Sequence, residues 1–278
     1  MNLPTPLISL KEIDKDIYAK IEYLHPSGSM KHRSIPKLLK TLHLSGELKG
    51  INKIAICSAG AAAITTAWAA EKLGYSVIAV LPSITPKQTI KVLKWLGVTC
   101  YQVEDKKIAK LMQKLNALND VYILSQMQDK RLIDHYRDVT KEVVSKLTTV
   151  SAITVGIGTG ASIMGIGREM NIHQPNCKIV GVEPSEAAIV SGSTWAEHNI
   201  PGLAPPMRQS LLDKTLLNNV LTISSEQAWS CAHNVARTSG LFLGPSSGAC
   251  VSAAIKLRAE GTKGPIVAIC ACSINDYL

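Results

Sequence analysis

The chain has 278 residues, of which 46% are hydrophobic and 18% charged, with a formal net charge of +9. This composition supports a buried core in one large domain or two smaller ones, and it excludes disorder and a membrane-spanning helix. Nucleic acid is a poor match for the charge, because the lysines are spread out and aromatic residues are only 4%; attraction of small anions and ordinary solubility charge explain it equally well.

In chain order, a strand–helix alternation dominates. Lys53–Cys57 is short and apolar and reads as a buried strand. The alanine-rich stretch Ala61–Leu73 favours a helix, stopped by Gly74. Ser76–Leu81 is the next strand, and Pro86–Leu96 a helix that opens on Pro86 and closes at Gly97. Val98–Val103 is a strand, Lys106–Leu118 a basic helix and Val121–Leu124 a strand. In the second half, Ala152–Val155 runs through a glycine-rich turn into a helix reaching Met170. Strands Lys178–Val182 and Leu221–Ile223, helices Ser225–Ser239 and Ser246–Arg258, and a final strand Ile266–Cys270 follow. Repeated units of this length predict parallel sheets covered by helices. Two α/β lobes with a cleft between them are expected, with ligands beyond the carboxyl ends of the strands, where helix N-termini converge.

The seven cysteines are scattered, none in a CxxC pair, and no histidine pair has zinc spacing. Reduced thiols in a cytoplasm, and no metal, are expected. Cys270 and Cys272 read as core residues of the last strand in preference to a metal or redox pair. The opening stretch MNLPTPLISLKEIDKD has no basic segment followed by an apolar one, so no signal peptide is expected.

Three segments can carry chemistry. In His25-Pro26-Ser27-Gly28-Ser29-Met30-Lys31-His32-Arg33, a lysine follows a tight Pro-Ser-Gly turn. Stiff backbone of this kind can hold an amine for Schiff-base chemistry, although a lysine in a polar loop is usually just solvated. Gly156-Ile157-Gly158-Thr159-Gly160-Ala161-Ser162 lies directly between a strand and a helix. Its backbone amides and the hydroxyls of Thr159 and Ser162 suit a phosphate, and it has neither P-loop nor dinucleotide spacing. A plain strand–helix turn is the competing reading, but it requires fewer glycines and hydroxyls. Ser58-Ala59-Gly60-Ala61-Ala62-Ala63 is a similar junction, where helix N-terminal amides could hold a carboxylate; a close-packed helix start explains it as well.

Together these motifs resemble the pyridoxal-phosphate (PLP) enzymes related to cysteine synthase and cystathionine β-synthase. Thr5-Pro6-Leu7 precedes Pro-Ser-Gly-Ser-x-Lys-x-Arg, and the glycine-rich Gly-x-Gly-Thr-Gly-x-Ser comes later. Val182-Glu183-Pro184-Ser185, Ile200-Pro201-Gly202 and Gly244-Pro245-Ser246-Ser247-Gly248-Ala249 follow in order. Cys272-Ser273 through Tyr277-Leu278 falls where the family has Asp-Ser-Gly-x-x-Tyr-Leu. The agreement spans essentially the whole chain. It implies a tryptophan synthase β-like α/β fold of two lobes, each a mostly parallel sheet flanked by helices, with PLP in the cleft. Residues 36–130 would form the smaller lobe with the substrate loop, and 1–35 plus 131–278 the larger lobe with the phosphate loop. The resemblance also implies that Lys31 bonds to the cofactor, that Gly158, Thr159, Gly160 and Ser162 cradle its phosphate, and that Ser273 meets its pyridine nitrogen. Ser58, Ala59, Gly60 and Ala62, with Gln126, would hold the carboxylate of a small amino-acid substrate. A homodimer is implied as well.

The sequence departs from the family at several of these places. The usual loop Thr-Ser-Gly-Asn-Thr-Gly is Ser58 to Ala63 here, so Ala61 replaces the asparagine that meets the cofactor's ring oxygen. A lost donor of this kind removes roughly 0.5–1.5 kcal/mol. His32 stands for aspartate, Asp138-Val139-Thr140 for Thr-Thr-Gly, and Ala271-Cys272-Ser273-Ile274 for Pro-Asp-Ser-Gly. The implied reaction is β-replacement or β-elimination on O-acetylserine or O-phosphoserine through an aminoacrylate, with the altered loop favouring a specialised member, for instance one making a non-protein amino acid. The alternatives are a member that has lost efficient catalysis and binds a partner, and a serine or threonine dehydratase, because Ser-Ala-Gly opens the equivalent loop there. Arg208, stiffened by Pro205 and Pro206, is a candidate for gripping a phosphate leaving group through its planar fork; a solvated loop arginine is the competing reading.

Overall fold

In the computed structural model, which describes residues 4–207 and 209–278, the chain divides into two compact units. The smaller is Lys31–Leu132, and the larger is Met1–Met30 with Ile133–Leu278. The elements run β1 (Leu7–Ser9), β2 (Ile17–Ile21), α1 (Ile35–Leu44), β3 (Lys53–Cys57), α2 (Ala61–Glu71), β4 (Ser76–Pro82), α3 (Lys87–Trp95), β5 (Thr99–Val103), α4 (Asp105–Asn116) and β6 (Val121–Ile123). They continue with α5 (Arg131–Asp134), α6 (Arg137–Val144), β7 (Ala152–Gly156), α7 (Ala161–His173), β8 (Lys178–Pro184), β9 (Asn219–Ile223), α8 (Ser225–Ser239), α9 (Pro245–Ala259) and β10 (Ile266–Cys270).

The smaller unit holds a four-stranded sheet in the order β5-β4-β3-β6. All its pairings are parallel. Parallel strands are covered on both faces and so read as continuous apolar runs, and Val77 to Leu81 of β4 are all buried. In α4, Ile108, Leu111, Met112 and Leu115 recur at helical spacing and pack on Ala55, Ile78, Val80 and Val121. The larger unit holds a six-stranded sheet in the order β1-β2-β10-β7-β8-β9. Only β1 is antiparallel to its neighbour. Helix α9 packs so closely on α8 that a Cβ on Gly248 would lie 2.2 Å from the Ala228 carbonyl oxygen.

The strand–helix rhythm places no element before Lys53 or between Leu124 and Ala152, yet β1, β2, α1, α5 and α6 lie there. Strand β2 escapes notice because Lys20 interrupts it. That side chain is fully buried. Its ammonium donates to the carboxylates of Glu22 at 3.1 Å and Glu142 at 2.6 Å, to the Thr5 carbonyl at 2.9 Å, and to the Thr5 hydroxyl. A charge can be buried when partners enclose it in this way. From Lys53 onward every element named from the pattern is present, with Pro86 as the cap of α3 instead of its first residue.

Cys250, Cys270 and Cys272 are buried. Burial pushes the Cys250 thiol up to about 12 and the Cys270 thiol well above its usual value, so both are neutral core groups. Among the described residues no group of three or more His, Cys, Asp or Glu could hold a metal ion. No helix among them is long and apolar enough to cross a membrane.

Candidate active site

In an open parallel sheet, ligands bind beyond the carboxyl ends of the strands where the strand order reverses. In the larger unit that reversal falls between β7 and β10, because β8 and β9 follow β7 on one side and β10 lies on the other. Strand β7 leads through Gly158, Thr159 and Gly160 into α7, and β10 leads into Ala271, Cys272 and Ser273. The neighbouring strand ends therefore bring together the phosphate-loop candidates and Ser273.

Packing accounts for the glycines of this loop. A Cβ on Gly158 would lie 2.4 Å from the Gly202 carbonyl oxygen, and one on Gly156 would lie 2.6 Å from Leu203. Gly160 caps α7 at φ +91°, a left-handed conformation that glycine adopts without strain. The turn is therefore tight for internal reasons, and its donors have to be weighed separately. The backbone N–H groups of Gly158, Thr159 and Gly160 find no acceptor among the described residues. The Ser162 hydroxyl is likewise unengaged and partly exposed, and the Thr159 hydroxyl oxygen accepts only a 3.3 Å bond from Ala161 N. These groups cluster at the positive end of a 13-residue helix. A loop with three free amides and two hydroxyls at a helix start has the donor set that a phosphate requires.

Ser273 donates its hydroxyl proton to the Phe242 carbonyl at 3.1 Å and accepts from Asn275 N at 3.3 Å. Its approach is fixed by residues to which the sequence assigned no role. Ser247 is fully buried, donates to the Cys272 carbonyl at 2.8 Å and accepts from Cys272 N at 3.1 Å. The Ser246 hydroxyl lies 2.8 Å from the Cys272 sulfur. Gly244 admits this contact, since a Cβ there would meet the same sulfur at 2.5 Å. The one available signal was a pair of serines opening a helix whose next four residues, Gly248 to Val251, are non-polar. Within the same unit, Met30 N donates to the Ala271 carbonyl at 3.4 Å.

In the smaller unit the strand order reverses between β3 and β6. Strand β3 opens into Ser58, Ala59 and Gly60 and then α2, while β6 leads to Gln126. The Gln126 side-chain amide donates to the Cys57 carbonyl at 3.4 Å, so it stands beside the Ser58 loop. Ser58 accepts from Gly60 N at 3.3 Å, and its own N–H is tied to the Val80 carbonyl at 3.2 Å. Ala61 and Ala62 form the first turn of α2, where N–H groups have no partner within the helix. Ala61 offers no side-chain donor.

Lys31 sits in a single helical turn, Met30–Arg33, whose end is held by Ser34 N donating to the Lys31 carbonyl at 3.2 Å. His32, in place of the family's aspartate, is buried and stacks on Trp68 of α2 with ring centroids 4.6 Å apart. The lysine turn and the Ser58 loop are thus anchored to the same helix. Burial lowers the Lys31 ammonium from its ordinary value to about 8. Only a free amine attacks an aldehyde, so the rate of imine formation at Lys31 should rise about tenfold per pH unit below pH ~7 and level off above about 8. Stopped-flow mixing with an aldehyde at several pH values checks this; a rate still climbing at pH ~10 would mark an ordinary solvated lysine. Arg208 lies outside the described residues.

A family model described as "Pyridoxal-phosphate dependent enzyme" matches residues 2–271. The chain is 25% identical over 274 residues to a cysteine synthase of Staphylococcus aureus, covering 95% of this chain and 88% of that one. It is 24% identical over 281 residues to an O-ureido-L-serine synthase of Streptomyces lavendulae, covering 95% and 84%. The crystal structure of an O-acetylserine dependent cystathionine β-synthase from Helicobacter pylori superposes with a TM-score of 0.90 at 26% identity, over 99% of this chain and 94% of that one. The fold is the tryptophan synthase β-like α/β architecture.

Proposed function

Because the chain belongs to the family of pyridoxal-phosphate dependent enzymes, and so uses PLP, we propose that it catalyses β-replacement or β-elimination on a serine derivative, O-acetylserine or O-phosphoserine. The unengaged donors at the start of α7 carry this reading. They suit the cofactor phosphate, and Gly158, Thr159, Gly160 and Ser162 would hold it. Ser273 would turn its hydroxyl from the Phe242 carbonyl to the pyridine nitrogen, a neutral partner in place of a carboxylate. Bound PLP supplies an electron sink for chemistry next to the substrate amine. Lys31, lowered to about 8 by burial, is matched to take the α-proton near neutral pH. Ser58, Ala59, Gly60 and Ala62, with the first-turn amides of α2, orient the substrate carboxylate, and Gln126 joins them on releasing the Cys57 carbonyl. Relatives named for making cysteine and O-ureido-L-serine support a β-substituted product. Ala61 favours a specialised member, since the ring oxygen meets no side-chain donor there.

The test is an absorbance spectrum of the purified protein before and after each donor. A visible band that shifts with O-acetylserine or O-phosphoserine, and returns when sulfide or an amine is added, is the expected result. Protein that binds PLP and responds to no donor would support the alternative, a member that has lost catalysis. If Arg208 grips a phosphate leaving group, O-phosphoserine should be the better donor. Arg208→Ala should then slow that reaction alone, by roughly tenfold for one charge-assisted contact. Equal losses with both donors would remove Arg208 from the site.

A further inference from the structure

Glu183, at the end of β8, is buried and turns both carboxylate oxygens onto a following loop, accepting from Val190 N at 2.8 Å and Ser191 N at 2.9 Å. Facing this loop is the run from Ala204 onward. Ala204 is held at φ +36°, a strained value for a residue with a side chain. Its N–H donates to the Ile157 carbonyl at 2.9 Å, and its carbonyl accepts from the Trp195 indole at 3.0 Å. These ties leave a groove of about 660 Å³ with apolar walls from Ile189, Val190, Trp195, Met207 and Leu212. The volume is typical of a small-molecule site.

Gln209 also lines the groove. It is 8% exposed, and its side-chain amide nitrogen has no hydrogen-bond partner among the described residues. A buried N–H without an acceptor is a cost that folded proteins rarely retain unless something else supplies the oxygen. Lys214, another lining residue, is pinned there by donating to the Val190 carbonyl at 2.6 Å, which leaves ammonium protons for an anion. None of these residues is assigned to cofactor or substrate above, although Leu212 backs onto Gly160 of the phosphate loop and Met207 and Gln209 flank Arg208 in sequence. We propose that the groove is a separate binding site for a small amphipathic carboxylate, with its apolar body against Trp195, Met207 and Leu212 and its carboxylate accepting from Gln209 and paired with Lys214.

Phenylacetate is a suitable probe, and phenethyl alcohol, which keeps the ring and lacks the carboxylate, is the control. Isothermal titration of the PLP-loaded protein should show saturable binding of phenylacetate. Affinity should be at least about tenfold lower for the alcohol and for phenylacetate on Gln209→Leu, the loss expected for one charge-assisted bond. Should Gln209→Leu fail to fold, Lys214→Gln is expected to show the same loss. Absence of saturable binding, equal affinity for acid and alcohol, or unchanged affinity in the folded variant would overturn the proposal. Displacement of phenylacetate by O-acetylserine would overturn it too, by making the groove part of the reaction site. The colour of the bound cofactor reports independently on the proposed reaction.

Discussion

Lys31→Ala should give a protein with no borohydride-stable cofactor and a turnover reduced by roughly a thousandfold or more. The substitution removes two functions at once: the covalent attachment of PLP and the base for the α-proton, of which the base alone typically supplies about 10²–10⁴-fold. The lowered ammonium at Lys31 is the physical basis for assigning both to one group. Its helical turn is closed by Ser34 and braced by His32 on Trp68, so the backbone should survive truncation of the side chain. Borohydride reduction of the wild type followed by peptide mapping checks the assignment. The label is expected on Lys31, and a label on any other lysine would refute it.

Thr159→Ala combined with Ser162→Ala should weaken PLP retention by roughly a hundredfold or more while leaving the spectrum of the saturated protein largely unchanged. Each hydroxyl offers a charge-assisted bond to a phosphate, at about 1.5–3 kcal/mol each, and every ~1.4 kcal/mol is tenfold in affinity. The fold should tolerate both changes. Among the described residues the Ser162 hydroxyl has no partner, and Thr159 gives up one long bond from Ala161 N. Substituting the glycines would be a poor test, since a side chain at Gly158 runs into the Gly202 carbonyl whether or not a phosphate binds there. Equilibrium dialysis against PLP measures the effect, and unchanged affinity in the double variant would reduce the loop to a turn.

Much of this protein was legible in its sequence because the relevant physics is local. Strands buried on both faces must be continuous apolar runs, so β3, β4 and β10 stand out without any knowledge of their neighbours. Helix α8 carries its own boundaries: the Ser224 hydroxyl accepts from Gln227 N at its start, and Gly240 closes it at φ +66°. The strand–helix junction from 156 to 162, with its glycines, was readable for the same reason. Only the tertiary structure decided what depends on residues far apart in the chain. Lys20 disguises β2 as a polar segment, and its burial makes sense only once Glu142 is seen to reach it across the fold. The sheet orders, and with them the strand ends where ligands can bind, follow from β6 and β10 returning to the far sides of β3 and β7. Gly158 is a glycine because of a carbonyl at Gly202, and Ser273 is placed by Ser247 holding Cys272. Local propensity cannot report such contacts, because each exists only after distant segments have packed.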